Sequence, residues 1–170
     1  AQDTDELLIV DLDQNKVTNK IAVGRHPHSV VIDNEDKSAY VSNEWSDHVS
    51  VIDLTSLKVT DTLYTGNGPA GLAFSADQKF LYVVNAFGSD VSVIELATKK
   101  ERKRLGTGNN PTGTALSPDG KQLYVTSRRA NIAPYDETLI SELTIIDDAS
   151  KRASKINVES AYLMENVTFA

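Results

Sequence analysis

Short apolar runs rich in β-branched residues alternate with polar turns along the chain. Between residues 67 and 108 this pattern predicts four strands, at 72–75, 80–85, 91–96 and 101–105. The first two are joined by S-A-D-Q, and the matching turn in the next stretch is S-P-D-G, a strong tight-turn sequence. No stretch keeps the 3.6-residue period of an amphipathic helix, so the chain is predicted to be all-β.

The pattern repeats with a period of about 42 residues. Gly24, Gly66 and Gly108 are spaced by 42 residues in each case, and the segment V-S-V-I-D-L at 49–54 returns as V-S-V-I-E-L at 91–96. Four short antiparallel strands in a unit of this length are typical of one blade of a β-propeller. The repeat therefore predicts a β-propeller built from such blades.

The number of repeats predicts a partial, open propeller. The third unit is longer than the others, because Ile146 follows Ile94 by 52 residues, and the extra residues form an insertion at 128–143. The expected division is a half blade at 1–24, full blades at 25–66, 67–108 and 109–160, and the first strand of a further blade at 161–170. Open end blades expose sheet edges, so we expect a homodimer or a remainder of the chain to close the ring.

A recurring tetrapeptide carries a family resemblance. The segments Y-V-S-N at 40–43, Y-V-V-N at 82–85 and Y-V-T-S at 124–127 resemble the Y-V-T-N repeat of surface-layer-type β-propellers, which are WD-like in architecture. The resemblance implies a periplasmic or extracellular protein of the cell envelope. It leaves function open, because similar propellers include binding scaffolds, lactonase-like enzymes and partners of haem modules.

Composition narrows the classes of partner and cofactor. The net charge of −7 argues against nucleic-acid binding, and no apolar run is long enough for a membrane span. The chain contains no cysteine, which excludes covalent haem attachment through C-x-x-C-H and thiolate metal sites. Any haem would therefore be bound non-covalently or carried by a partner.

Candidate binding residues gather on one predicted face of the propeller. R-H-P-H at 25–28 precedes the first strand of a blade, while N-E-W-S-D-H at 43–48 and the insertion each join a second strand to a third. These loops project from the same face of a propeller, and long loops on a rigid scaffold often carry function. The candidate ligand-binding residues are His26, His28, Trp45, His48, Arg128 and Arg129.

The candidate residues also have other interpretations, some of them purely structural. The repeat positions that match His26 are Gly68 and Asn110, so the fold does not require an imidazole there, whereas Trp45 matches Phe87 and could pack between loops. The three histidines could instead hold copper or zinc. The arginine pair could bind a carboxylate or phosphate, or pair with acidic residues of its own insertion.

Three functions are compatible with these features. The leading hypothesis is a non-catalytic cell-envelope scaffold that binds a small ligand or a protein partner through its loop face. The first alternative is a redox-associated propeller linked to a haem or copper module, and the second is a lactonase-like hydrolase. No G-x-S-x-G, H-E-x-x-H or glycine-rich phosphate motif is present, so no catalytic residue is assigned.

Overall fold

The computed structural model of the chain describes residues 2–128 and 141–158. Apart from a 3-10 turn at Gln2–Thr4, the regular structure of these residues consists of β-strands. None of their helices is long and apolar enough to cross a bilayer. The strands are β1 (Glu6–Asp11), β2 (Lys16–Ala22), β3 (Pro27–Ile32), β4 (Ser38–Asn43), β5 (His48–Asp53), β6 (Lys58–Tyr64), β7 (Pro69–Phe74), β8 (Phe80–Asn85), β9 (Asp90–Glu95), β10 (Lys100–Gly106), β11 (Pro111–Leu116), β12 (Gln122–Arg128), β13 (Ser141–Asp147) and β14 (Arg152–Val158).

The strands form four antiparallel sheets. β1 and β2 make a two-stranded sheet, and the other three sheets are four-stranded meanders, β3 to β6, β7 to β10 and β11 to β14. The first strands of the meanders pack side by side, β3 against β7 and β7 against β11, whereas the outer strands approach one another less closely. This radial stacking makes the described residues an open arc of propeller blades.

The hydrophobic core lies between neighbouring sheets. One cluster joins Val49 and Leu63 of the first full blade to Leu81 and Ile94 of the second, all at most 1% exposed. A second cluster places Tyr82 and its neighbours against the sheet formed by β11 to β14. Because each sheet buries apolar side chains on a neighbour, adjacent blades stabilise each other.

The predicted all-β propeller with four-stranded antiparallel blades is confirmed, and one local detail differs. R-H-P-H was predicted to be a loop, but Pro27 and His28 begin β3. Pro27 pairs with Asn43 and the register then shifts before Val30, and proline is tolerated at the first residue of a strand. The expected strand at 161–170 lies outside the described residues, as does most of the insertion.

Candidate functional site

One edge of each full blade collects two loops, which together form the loop face. In the first full blade the strand ends that pair in a row along this edge are Pro27, Asn43, His48 and Tyr64. The loop before β3 and the loop between β4 and β5 therefore project from the same edge. The Glu44 N–H donates to the His26 carbonyl at 3.0 Å, which joins the two loops directly.

Four side chains on this face form a layered group, the Trp45 cluster (Arg25, His26, Glu44 and Trp45). The imidazole of His26 stacks on the indole of Trp45, with ring centroids 4.4 Å apart and an interplanar angle of 6°. The guanidinium carbon of Arg25 lies 6.0 Å from the centroid of the indole ring, within the range of a cation–π contact. The cluster thus holds the indole in one orientation.

A carboxylate completes the cluster behind the imidazole. His26 Nδ1 lies 2.7 Å from Glu44 Oε2, and both side chains are mostly shielded from solvent. The two atoms do not meet hydrogen-bond geometry, so their interaction is a close electrostatic contact rather than an aligned bond. Glu44 therefore packs directly against the imidazole and helps to keep the ring under the indole.

The backbone under His26 adopts a left-handed conformation. Its φ is 54°, and the repeat-equivalent residues Gly68 and Asn110 have φ values of 67° and 48°. Glycine and asparagine adopt this conformation at the least cost, whereas a larger side chain costs on the order of 1–2 kcal/mol. The first full blade therefore carries a bulky ring at a position where its neighbours carry the residues best suited to the backbone.

Carboxylates from the preceding blade hold this strained turn. The His26 N–H donates to Asp5 Oδ1 at 2.9 Å, and the Gly68 N–H donates to Asp47 Oδ1 at the same distance. Asp5 and Asp47 are themselves 42 residues apart. Each contact ties a loop of one blade to the loop that precedes the first strand of the next blade, so hydrogen bonds between blades hold the loop face.

Aromatic side chains are exposed on the loop face. The exposed fractions of Trp45, Tyr64 and Phe87 are 56%, 77% and 62%, and no other Phe, Tyr or Trp among residues 2–128 and 141–158 is exposed. Phe87 lies over the backbone of Gly68, where an added β-carbon would be 2.5 Å from its ring. A surface that gathers its exposed aromatic rings in this way is typical of a binding site.

Two buried asparagines brace the loops from below. Asn43 and Asn85, the last residues of the Y-V-S-N and Y-V-V-N segments, are 0% exposed. Their amide groups donate to Ser50 Oγ at 2.9 Å and to Ser92 Oγ at 2.8 Å. The recurrence of asparagine at the end of this tetrapeptide indicates this structural role, in which a buried amide donates a hydrogen bond to a serine of the next strand.

The structure separates the other two histidines from the Trp45 cluster. His28 is exposed and lines a cleft of about 160 Å³ with Glu6 and Pro27. His48 Nδ1 lies 2.9 Å from the carbonyl of Ser46, so this half-buried ring contacts its own loop. Among the residues that the structure describes, no group of three or more His, Asp or Glu side chains is arranged to hold a metal.

Of the arginine pair, only Arg128 lies within the described residues. Arg128 is the last residue of β12 and pairs with Ser141 across the sheet. Arg129 lies outside the described residues. Arg25 and Glu44 also belong to the Trp45 cluster, and the sequence patterns did not predict them. Arg25 stands in the R-H-P-H segment and Glu44 in the N-E-W-S-D-H segment, beside the candidate histidines.

Solved structures with the same architecture come from several proteins. The chain resembles Kuenenia stuttgartiensis hydrazine synthase at 25% identity and a TM-score of 0.83, covering 93% of this chain and 44% of that one. It is also similar to a functionally unknown protein from Desulfotomaculum acetoxidans, at 17% identity, a TM-score of 0.67 and coverage of 89% and 47%. It is likewise similar to dihydro-heme d1 dehydrogenase NirN in complex with DHE, at 16% identity and a TM-score of 0.68, covering 94% of this chain and 34% of that one.

The chain spans less than half the length of each of these three structures. No curated protein sequence matches it significantly. A family does match: the YNCE-like beta-propeller pattern covers residues 1–162, nearly the whole chain. Together with the antiparallel four-stranded blades, this match shows that the chain belongs to the YNCE-like beta-propeller family.

Proposed function

We propose that the chain is a non-catalytic binding scaffold that engages a protein partner through its loop face. The observation that carries the proposal is Trp45, which is 56% exposed although its ring is held in place by His26. Tryptophan, tyrosine and arginine dominate the binding energy of protein interfaces. A ring that is ordered before binding loses little conformational entropy when a partner covers it.

The shape of the surface favours a macromolecule over a small ligand. The cleft beside His28 has a volume of about 160 Å³, whereas small-molecule sites usually measure about 300 Å³ or more. The exposed rings of Trp45, Tyr64 and Phe87 come instead from three separate loop or strand ends. Such a spread of anchors suits an extended contact with another protein.

Photo-crosslinking in cells of the source organism tests this proposal. A photoreactive residue would replace Asn67, which is exposed on the loop face, or Asp36, which is exposed in a turn at the opposite edge of the blade. We expect one discrete adduct from position 67 and none from position 36, and we expect Trp45→Ala to abolish the adduct. Equal adducts from both positions, or adducts that survive Trp45→Ala, would contradict the proposal.

A redox-associated role is the second candidate, favoured by the likeness to hydrazine synthase and to NirN in complex with DHE. His28 is exposed and could serve as an axial ligand to a non-covalent haem, and the nearby Arg25 could pair with a propionate. Copper could use the same imidazole. Such a group would supply electron transfer, while the chain's own residues would bind and orient it.

Titration with hemin or with cupric ion tests this second candidate. Trp45 is the only tryptophan of the chain, so its fluorescence reports on the cluster without interference. We expect saturable quenching that His28→Ala weakens at least tenfold. Quenching that His28→Ala leaves unchanged would exclude a specific site at this residue.

The proposal places the scaffold in the cell envelope, as the resemblance to surface-layer-type propellers implies. Cell fractionation with an antibody against the chain tests this, and recovery in the cytoplasmic fraction would contradict it. No contact among the described residues favours the lactonase-like alternative.

A further inference from the structure

The repeat places three tyrosines, Tyr40, Tyr82 and Tyr124, at equivalent positions 42 residues apart, and their surroundings differ. Tyr82 is fully buried, and its hydroxyl donates to Asp148 of the next blade. The ammonium of Lys151 donates to the Tyr82 hydroxyl at 2.6 Å and to Asp148 Oδ1 at 2.7 Å. A tyrosine of this repeat, together with one carboxylate, therefore forms a site for a primary ammonium.

Aromatic rings complete the ammonium site at Tyr82. The Lys151 ammonium lies 4.7 Å from the ring centroid of Phe80 and 5.1 Å from that of Tyr82. Contacts of this kind attract a cation most strongly when it is partly withdrawn from water. The site between the second and third full blades is thus filled by the chain's own lysine.

The equivalent place between the first and second full blades is not filled in this way. Leu96 stands where the next blade has Asp148, since both follow the third strand directly. Lys99 is the counterpart of Lys151, and both adopt a left-handed φ in the turn before the fourth strand, of 56° and 51°. The Lys99 ammonium, however, pairs with Asp61 of the neighbouring blade.

An open cleft results at this position. It has a volume of about 350 Å³, and its walls include Asp33, Ser38, Tyr40, Gln78 and Leu96. The rings of Tyr40 and Phe74 form a T-shaped pair, with ring centroids 5.1 Å apart and an interplanar angle of 89°. The cleft lies at the edge of the blades opposite the loop face, among the turns that follow the first strands.

The walls of the cleft supply a carboxylate in place of Asp148. Burial would raise the pKa of Asp33, but hydrogen bonds from the N–H groups of Lys37 and Ser38 outweigh it and lower the pKa, so the group is ionised. Among the described residues no lysine or arginine forms an ion pair with Asp33. Lys37, which also lines the cleft, pairs with Glu35 at 2.5 Å, and its charge interacts with that of Asp33 only at longer range. The repeat positions matching Asp33 are Ser75 and Ser117, so this acid is specific to the first full blade.

We propose that the Tyr40 cleft binds the primary ammonium group of an aliphatic amine. Burial and the charges of Asp33 and Asp61 raise the pKa of Tyr40, so its hydroxyl stays protonated and can accept a hydrogen bond from the ammonium as Tyr82 does. Asp33 supplies the opposite charge, and the Tyr40 ring supplies a face for the cation. The site is independent of the loop face and of the function proposed for it.

Nuclear magnetic resonance titration of the whole chain with n-butylammonium tests the proposal. We expect saturable shifts of the backbone amides of Asn34, Lys37 and Gln78, and little change on the loop face. Tetramethylammonium, which carries the same charge but donates no hydrogen bond, is the matched control ligand and should bind at least tenfold more weakly. Equal binding of both cations would overturn the proposal, as would shifts that do not saturate.

Variants show whether n-butylammonium binds at the Tyr40 cleft or is only attracted by the negative charge of the chain. Tyr40→Phe and Asp33→Asn should each weaken n-butylammonium at least fivefold, while Tyr64→Phe, a change to an exposed tyrosine on the loop face, should have no effect. Leu96→Asp rebuilds the carboxylate of the Tyr82 site, so Lys99 should move into the cleft and compete with the added amine. Unchanged affinity in both Tyr40→Phe and Leu96→Asp would contradict the proposal.

The natural source of the ammonium can be a free amine or a lysine side chain. Nα-acetyl-lysine amide distinguishes them, since a lysine-binding cleft should prefer it to n-butylammonium. A preference for a free diamine over both would assign the cleft to small amines. Thermal unfolding of each variant checks that a lost signal does not come from a lost fold.

Discussion

At the scale of single residues, the blades differ most where the backbone is most constrained. His26, Gly68 and Asn110 share a left-handed backbone, yet only His26 provides a ring that can support Trp45. The cost of its φ, on the order of 1–2 kcal/mol, is comparable to the gain of about 0.5–1.5 kcal/mol from an aromatic pair. Stability alone therefore gives little reason to prefer histidine here, which is consistent with a role in presenting the indole.

His26→Gly separates these two effects. Glycine relieves the backbone cost and removes the stack, so the free energy of unfolding should change by less than about 1 kcal/mol. The emission of Trp45 should shift to longer wavelength, because the indole loses the neighbour that covers one face. Denaturant unfolding followed by circular dichroism, with an emission spectrum of the native state, measures both. A loss of several kcal/mol would show that His26 is a structural residue.

At the scale of elements, loops of neighbouring blades are joined by one carboxylate each. Asp47 Oδ1 accepts the N–H of Gly68, which is buried. Asp47→Ala leaves this donor without a partner and should lower the free energy of unfolding by about 1–3 kcal/mol. Asp47→Asn keeps an acceptor oxygen and should recover most of the loss. Equal destabilisation by both variants in denaturant unfolding would mean that charge, not the hydrogen bond, matters.

The turn after the first strand of the second full blade gives a pH-dependent prediction. A side-chain bond from Lys79, with further bonds from Ser75 and the Lys79 N–H, lowers the pKa of Asp77 from 3.8 to about 2. Because the pKa of Asp77 is lower in the folded state than in the unfolded state, the ionised carboxylate stabilises the fold. This contribution to the free energy of unfolding is present above about pH 4 and is lost as the pH falls towards about 2. The group is solvent-exposed, so the effect at neutral pH should stay below about 1 kcal/mol.

Asp77→Asn removes this titration. The melting temperature of the variant should lie slightly below that of the unmodified chain at neutral pH, and the two should converge near pH 2. Thermal unfolding between pH 7 and pH 2 measures the difference. A difference that does not change with pH would show that Asp77 acts through its hydrogen bonds to Ser75 and Lys79 in either protonation state.

Element positions were predictable, but contacts between elements were not. The spacing of Tyr40, Tyr82 and Tyr124 predicted the second strands because strands alternate and turns recur at a fixed period. The three tyrosines look alike in sequence, and only the packing of blade on blade reveals that Asp148 and Lys151 hold one of them. Such contacts join residues 66 or more positions apart, and no local pattern encodes them.

At the scale of the whole molecule, stability comes from blades packing on blades. Leu72 and Val30 occupy equivalent positions on the first strands of adjacent blades. Leu72 is 5% exposed because the preceding full blade covers it, whereas Val30 is 49% exposed. Two apolar residues with the same place in the repeat therefore differ in burial according to what lies next to their sheet.

Truncating each of these residues measures the contribution of blade packing. Leu72→Ala should lower the free energy of unfolding by about 2–5 kcal/mol, since it removes buried methylene and methyl groups and leaves a cavity between sheets. Val30→Ala in the same 170-residue chain should cost less than about 1 kcal/mol, because water already reaches the side chain. Denaturant unfolding of both variants gives the comparison. Similar losses of unfolding free energy in the two variants would show that strand propensity within each sheet, rather than packing between blades, stabilises the folded chain.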